Sequence, residues 1–515
     1  MVLVIVLVLC AGAMPQAAQS AVGDGVYGFG QGSELGLGDT RNTETPMRIE
    51  GLDNVRVVET RYHQSLVLLA NGDVYSFGYN NWGQLGHGDK EDRNRPTKIQ
   101  GIGRAKAIAA GERHSLIVVE NGNVYSFGSN HYGQLGHGDR EERLTPTRIE
   151  DLSNAKSAAA GLNHSLVLLE NGDVYSFGYS TNGQLGLGEV SWPERDRRTP
   201  VRIFEGAEAI AAATNASLIL RPNGDVYTFG ENFYGQLGHG DNDDRHSPTK
   251  IEGIGPAQVV AGGDNYSLIL LRNGDLYSFG EGHSGQLGHG DNQHRNSPTK
   301  VATLSEVSMI AAGARHSLAA LEEGRVYSFG VGSNGRLGHG DQSSKNTPTL
   351  IEALPQCDVL GLAAGYHHSL VLVSEYPIII NVGDTPIQTT VSPIMRNVTP
   401  MVPVRSVIEA MGIQVEHSEE TPGVLHAISN EGDSVIAIQL QDNSSVAKVG
   451  DKEIELEVPA TLVDDHWLVP ASFFSELLGE DVEWSLRTRI VDIPILEPND
   501  NFIVSGRFGK SSPKL

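Results

Sequence analysis

Histidine, aspartate and glycine recur together in this chain, as in Gly83-Gln84-Leu85-Gly86-His87-Gly88-Asp89. Three kinds of chemistry use such residues. The histidines His87, His137, His239, His289 and His339 are of the type that ligates zinc. Each, however, stands in a different copy of the word, and Leu37 and Leu187 occupy the place in two others. Ligands of one ion must converge to about 2 Å from it, which scattered copies do not do. The acids Asp39, Asp89, Asp139, Asp241, Asp291 and Asp341, with Glu189, close the same loops. Capping of local backbone N–H groups accounts for them, with a cation as the alternative. The His-Ser pairs at 114–115, 164–165, 316–317 and 368–369 have the residue types of a base and a nucleophile. Adjacent strand residues point to opposite faces, so the two members of a pair do not meet. Gln64, Ala216 and Tyr266 replace the histidine elsewhere. The chain has no phosphate-binding GxxxxGK[ST] loop, no HExxH and no GxSxG. The expectation is therefore no catalytic, cofactor-binding or metal residues, no cofactor, and no enzyme.

The elements that carry these residues repeat. The word [VL]-Y-x-F-G, or its variant Val26-Tyr27-Gly28-Phe29-Gly30, ends at Gly30, Gly78, Gly128, Gly178, Gly230, Gly280 and Gly330. A spacing near 50 residues marks a repeat architecture. In one unit, Ser115–Val119 is an aliphatic run, Asn121-Gly122 has the composition of a type I′ turn, and Val124–Phe127 returns as a second strand. Residues 96–102 and 105–111 supply two shorter strand candidates before that hairpin. Four short strands per repeat describe one propeller blade. The first unit lacks a partner strand before Val26, and the last, residues 363–373, lacks a Tyr-x-Phe-Gly strand after it. Pairing 26–29 with 369–373 would close a ring of seven blades and hide both open edges.

These repeats resemble the regulator of chromosome condensation repeat family, over residues 26–373. The resemblance implies a seven-bladed all-β propeller. The family's eukaryotic founder activates a small nuclear GTPase and docks on chromatin through an inserted wedge and basic elements. Here the repeat spacing leaves no room for a long wedge. Family members more broadly serve as protein-binding platforms.

After residue 374 a different duplication begins. Residues 399–417 match 466–484: Val402-Pro403 aligns with Val469-Pro470, Gly412 with Gly479, and Val415-Glu416 with Val482-Glu483. Each copy reads as a short helix between strands, with proline at its start and glycine just past its end. Strand candidates are 378–382, 434–440 and 489–495. This pattern resembles the copper amine oxidase N-terminal-like domain, a stalk module of secreted Gram-positive bacterial proteins that lacks the oxidase chemistry. The second copy carries Ala471-Ser472 where Val404-Arg405 stands in the first.

The organisation read from sequence is thus a signal peptide over 1–20, a propeller over 21–373, a small α+β domain over 374–495 and a tail over 496–515. The apolar run 2–14 followed by Ala18-Gln19-Ser20 reads as a secretion signal, although no Lys or Arg precedes it. Only Cys10 and Cys357 are present, which excludes a disulfide framework. A net charge of −25 disfavours nucleic acid and anionic membrane as partners. The expected protein is a monomeric scaffold of the bacterial cell envelope or exterior, without a membrane span in the mature chain. It would present loops to a protein or a glycan. The alternatives are an exchange-factor-like regulator of a small GTPase and an enzyme with a site in the propeller channel. Departures from the repeat are the better binding candidates: Tyr79, Asn80, Asn81, Trp82, His131, Tyr132, Phe233, Tyr234, His283, Ser284 and the insertion Ser191–Arg198.

Overall fold

The computed structural model describes residues 23–188, 196–354, 358–375, 379–383, 385–389, 393–396, 399–417, 424–428, 435–442, 444–450, 452–457, 459–463, 466–478, 481–485 and 490–494. The apolar opening segment, Glu189, Ser191–Arg195, Cys357, Gly479 and the tail lie outside them. Two compact units divide near Glu375.

The first unit opens with β1 (Gly23–Gly30) and β2 (Thr43–Arg48). Blade one follows as β3 (Val55–Arg61), β4 (Gln64–Leu69), β5 (Val74–Gly78) and β6 (Arg93–Lys98), an antiparallel sheet in that order. Five further sheets of the same order follow, so blades one to six run from residue 55 to residue 350. Blade seven is composite: β1 and β2 join the strands Asp358–Ala364 and His368–Glu375. β1 pairs antiparallel with His368–Glu375 from Gly23↔Glu375 to Gly30↔His368, with Val26 opposite Leu372 and Phe29 opposite Ser369. This is the ring closure that the split repeat requires.

Two local expectations are corrected. The hairpin turn is not type I′. Gly122 takes φ +80 while Asn121 does not enter the positive-φ region. Gly122 N–H donates to Val119 O and Val119 N–H donates to Asn123 O, a three-residue loop with glycine in the left-handed position. The Asn121 side chain accepts from Asn123 N–H at 3.0 Å, holding the turn from within. The strand assigned to 96–102 instead spans Arg93–Lys98 and belongs to the preceding blade, where it forms the outer edge. Pro96 lies in this strand, and an edge position tolerates its missing N–H.

Each blade buries both faces against its neighbours. Leu66, Leu68 and Val74 of blade one pack with Ile108, Ile117 and Phe127 of blade two. The phenylalanine of every Tyr-x-Phe-Gly or Tyr-Gly-Phe-Gly word, Phe29 to Phe329, is fully buried.

The His-Ser pairs stitch these interfaces. The two members of a pair do face apart, but the histidine of one blade meets the serine of the next. His114 Nε2 lies 2.9 Å from Ser165 Oγ, His164 3.0 Å from Ser217, His316 2.8 Å from Ser369, and His368 2.8 Å from Ser65. The replacements make the same bond by other means. Ser115 Oγ donates to Gln64 Oε1 at 3.2 Å, and Ser317 Oγ donates to the Tyr266 hydroxyl at 3.0 Å. Ala216 has no group to offer.

In the second unit α1 (Val404–Ala410) and α2 (Ser472–Leu478) each follow a strand of the duplicated word. The two copies pair with one another, Val402 opposite Val469. Gly412, just past α1, takes φ +82, as a helix C-terminus wants. Val407, Ile408, Phe473, Phe474 and Leu477 centre its core.

Burial pushes the His114 and His164 imidazoles down to about 3. The unfolded chain takes up these protons near pH 6.5 and the folded chain does not until about 3, so stability is lost as pH falls through that window. Replacing both by Gln, the residue of blade one, is expected to keep the interfaces stitched. It should flatten the acid side of a thermal-unfolding profile between pH 6.5 and 4; an unchanged slope would show that these imidazoles do not set it.

Candidate functional site

The glycine-rich loops begin at the end of each blade where β5-type strands finish. There the recurrent histidines fold back onto their own blades. His87 Nε2 lies 2.8 Å from Ser76 Oγ, and His137, His239, His289 and His339 meet the equivalent hydroxyls at 2.9 to 3.0 Å. The imidazole therefore has a structural task of its own, beyond that of the loop. Burial lowers the pKa of all five. The loop aspartates cap: Asp89 accepts from Glu91 N–H at 3.0 Å, and Asp39, Asp139, Asp241, Asp291 and Asp341 accept from the backbone N–H two residues on. Each also pairs with a basic side chain, such as Arg93 or Lys345.

The innermost strands surround a channel lined by alanines, among them Ala109, Ala159, Ala211, Ala311 and Ala363, with a cavity of about 240 Å³. Blade one breaks this pattern. Where the other six blades read Ala-Ala-Gly or a close variant, it reads Glu59-Thr60-Arg61. Arg61 crosses the axis: Nη1 donates to Gly262 O at 2.7 Å and Ala212 O at 3.3 Å, and Nη2 donates to Gly263 O at 3.2 Å and Thr214 Oγ1 at 3.4 Å. Thr214 in turn donates to Asp264 Oδ1 at 2.9 Å. Burial pushes the Glu59 carboxyl up to about 7, against the pull of Arg61. Burial also raises Asp264 and Glu112, again against Arg61 among other groups. A convergent charged set therefore stands out from the repeat in the channel. The signal was legible as three consecutive departures from a run of small residues.

The glycines explain why Arg61 sits in this blade. A Cβ at Gly111, Gly161, Gly313 or Gly365 would meet the ring of the stitching histidine in its own blade at 2.3 to 2.7 Å, and one at Gly263 would meet Tyr266 at 2.1 Å. Where that ring is absent, a side chain is allowed: Ala213 accompanies Ala216, and Arg61 accompanies Gln64.

Around the channel mouth lies an arc of rings. Tyr62, held at φ +50, stacks on Tyr366 at 5.1 Å, and His63 packs against Tyr79, Tyr366 and His367. A bulky residue at positive φ is strained and persists only where its surroundings hold it. Farther out, Trp82 meets His131 edge-on with Arg113 over its face, Tyr132 packs on Tyr179, and Tyr234 on His294. These rings bridge neighbouring blades. Phe233 is different, at 68% exposed. Beside it an open cleft of about 570 Å³ is lined by Tyr234, Asn242, Gln293, His294 and Arg295.

At the seam the buried carboxylate of Glu34 accepts from His63 Nδ1 at 2.7 Å and from His368 Nδ1 at 2.8 Å, with His367 Nδ1 at 3.7 Å. Burial opposes its ionisation. The imidazoles of His367, His368 and His63 outweigh burial and hold it well below the usual carboxylate range.

Comparison with known proteins matches residues 145–371 to an RCC1-like domain model. Regulator of chromosome condensation (RCC1) repeat models match 71–118, 121–168 and 105–134. A copper amine oxidase N-terminal domain model matches 381–493. Among solved structures, Prp20p of Saccharomyces cerevisiae, described for its binding to Gsp1p and histones, is 25% identical with a TM-score of 0.62, covering 69% of this chain and 92% of that one. Human WBSCR16 is 24% identical with a TM-score of 0.61, covering 68% and 99%. The E3 ubiquitin-protein ligase MYCBP2 of Danio rerio is 46% identical over 48 residues, which is 9% of this chain and 1% of that protein's length.

The steric rule between positions 61 and 64 is open to a double-mutant cycle. Gln64→His alone is expected to destabilise the wheel by about 1–3 kcal/mol through overpacking against Arg61. Combined with Arg61→Gly, it should recover most of that loss in urea denaturation. Additive effects of the two changes would refute the coupling.

Proposed function

We propose, for a chain whose residues 71–371 carry the repeats and RCC1-like domain of the regulator of chromosome condensation family and whose residues 381–493 are a copper amine oxidase N-terminal domain, that the propeller is a docking platform for a partner protein. The observation that carries this reading is the concentration of departures from the repeat on one face. Arg61, Tyr62, His63, Tyr79, Trp82, Tyr132 and Phe233 all belong to the loop end of the blades or the channel mouth there. The opposite end holds the hairpin turns, Asn-Gly in five blades and Glu323-Gly324 in the sixth. Aromatic and arginine side chains are the residues that anchor protein interfaces. The acidity of the chain favours a partner with a basic surface. The reading extends to an exported or envelope-held protein, supported by the apolar opening followed by small residues, with the C-terminal domain as spacer.

A second reading, a regulator of a small GTPase, is favoured by likeness to Prp20p, which binds Gsp1p. It requires residence inside a cell. Mature protein beginning near Ala21 in the culture medium would exclude it, and a nucleotide-release assay tests it directly.

For the docking reading, the tagged full chain should recover a partner from envelope extract. Phe233→Ser and Trp82→Ala should each lower its recovery about tenfold or more. Asn171→Ser, at the opposite end, should not. Equal recovery by all three variants would remove the loop face as the interface; a glycan array scores the glycan alternative.

A further inference from the structure

The seam of blade seven brings together one carboxylate and two imidazoles, of which only His63 also belongs to the departures on the docking face. We propose that Glu34, His63 and His367 form a binding site for a divalent transition-metal ion of the zinc class. One ligand atom from each of the three lies within 4.8 Å of the other two, and Glu34 Oε1 is 2.7 Å from His63 Nδ1 and 3.7 Å from His367 Nδ1. Two ligands held at about 2.1 Å by a tetrahedral ion sit roughly 3.4 Å apart, so closing on an ion needs only small side-chain movements. Two imidazoles and a carboxylate are a donor set that zinc and its neighbours take, with positions left open, whereas magnesium and calcium prefer oxygen alone.

The three residues are coordinated departures from the repeat. At the place of Glu34 the other blades carry Gln84, Gln134, Gln184, Gln236, Gln286 and Arg336. At the place of His63 and His367 they carry Arg113, Asn163, Asn215, Asn265 and Arg315. A charged group in place of a buried amide is costly unless it is paired. Here the histidines occur only in the two blades flanking the carboxylate, brought there by closure of a ring from residues 34, 63 and 367.

The carboxylate is also oriented as a ligand is. His368 holds Glu34 Oε2 through Nδ1–H at 2.8 Å, and Ser65 Oγ holds His368 Nε2 at 2.8 Å. This is the outer hydrogen bonding that fixes metal-binding carboxylates. It leaves Oε1 facing His63 and His367. His63 occupies Oε1 with an N–H, the proton that an ion would displace. His367 Nδ1 is buried and has no hydrogen-bond partner among the described residues. The flanking rings of Tyr62, Tyr79 and Tyr366 wall the site at the channel mouth.

The test uses the full chain without a histidine tag, stripped with a chelator. Zinc chloride is titrated by calorimetry, and cobalt(II) substitution is followed by its visible absorption. One ion per chain is expected, with an absorption typical of a low-coordinate nitrogen and oxygen site. Glu34→Gln, His63→Asn and His367→Asn each install the residue that other blades already use, so the metal-free unfolding midpoint should stay close to the parent's. Each should weaken zinc binding at least a hundredfold and abolish the zinc-induced rise in that midpoint. His368→Gln, which removes only the positioning contact, should weaken it ten- to a hundredfold. Failure of the parent chain to bind zinc would overturn the assignment. So would undiminished binding by the Glu34→Gln, His63→Asn double variant, or equal binding of calcium. Zinc binding is read without a partner, and the docking test uses Phe233 and Trp82, which lie outside the metal set, so the two readings stand or fall separately.

Discussion

The propeller depends on eight residues at its beginning lying against eight at its end. Gly23–Gly30 supplies the strand that His368–Glu375 lacks, and the register places Val26 and Phe29 in the core of blade seven. Without that pairing the terminal sheets would each present an open edge and a half-covered hydrophobic face. With it, every blade has two neighbours, and both faces of every sheet are buried. Closure also creates a place where residues distant in the chain meet. The Glu34 cluster exists only because residues 34, 63, 367 and 368 share that seam.

A second constraint acts at the blade interfaces. Hydroxyl groups at Ser65, Ser115, Ser165, Ser217, Ser317 and Ser369 are bonded by a group from the preceding blade. In most blades the ring that makes this stitch leans over the position three residues earlier and admits only glycine there. Blade one uses Gln64 instead, and that exchange makes room for Arg61. The guanidinium then spans the wheel and bonds the backbones of blades four and five. The scaffold and its exception are thus linked by one contact distance, and the channel is crossed by a side chain that five of the other blades exclude.

Much of this was legible in the chain. Seven copies of one word, split between the termini, are enough to specify a closed wheel, because only closure satisfies the unpaired halves. Pro403 and Gly412 marked the first helix of the second domain, and Pro470 the start of the second, through the backbone preferences of those residues. The turn type was misjudged because Asn-Gly fits two hairpin loops that differ by one residue, and the choice rests on the register of the flanking strands. The outer strand was placed too late and in the wrong blade, since its pairing partner lies behind it in sequence rather than ahead.

Periodicity, turn chemistry and glycine placement are local properties, and they are sufficient for the blade, its count and its ring. The partners of the polar side chains are not local. Whether a histidine faces solvent, its own blade or the next one depends on how sheets stack, and the same residue type does all three in His131, His87 and His114. The channel set around Arg61 and the carboxylate–imidazole cluster at Glu34 join residues hundreds of positions apart. Their chemistry comes from burial and from distances of about 3 Å, which only the closed ring brings about.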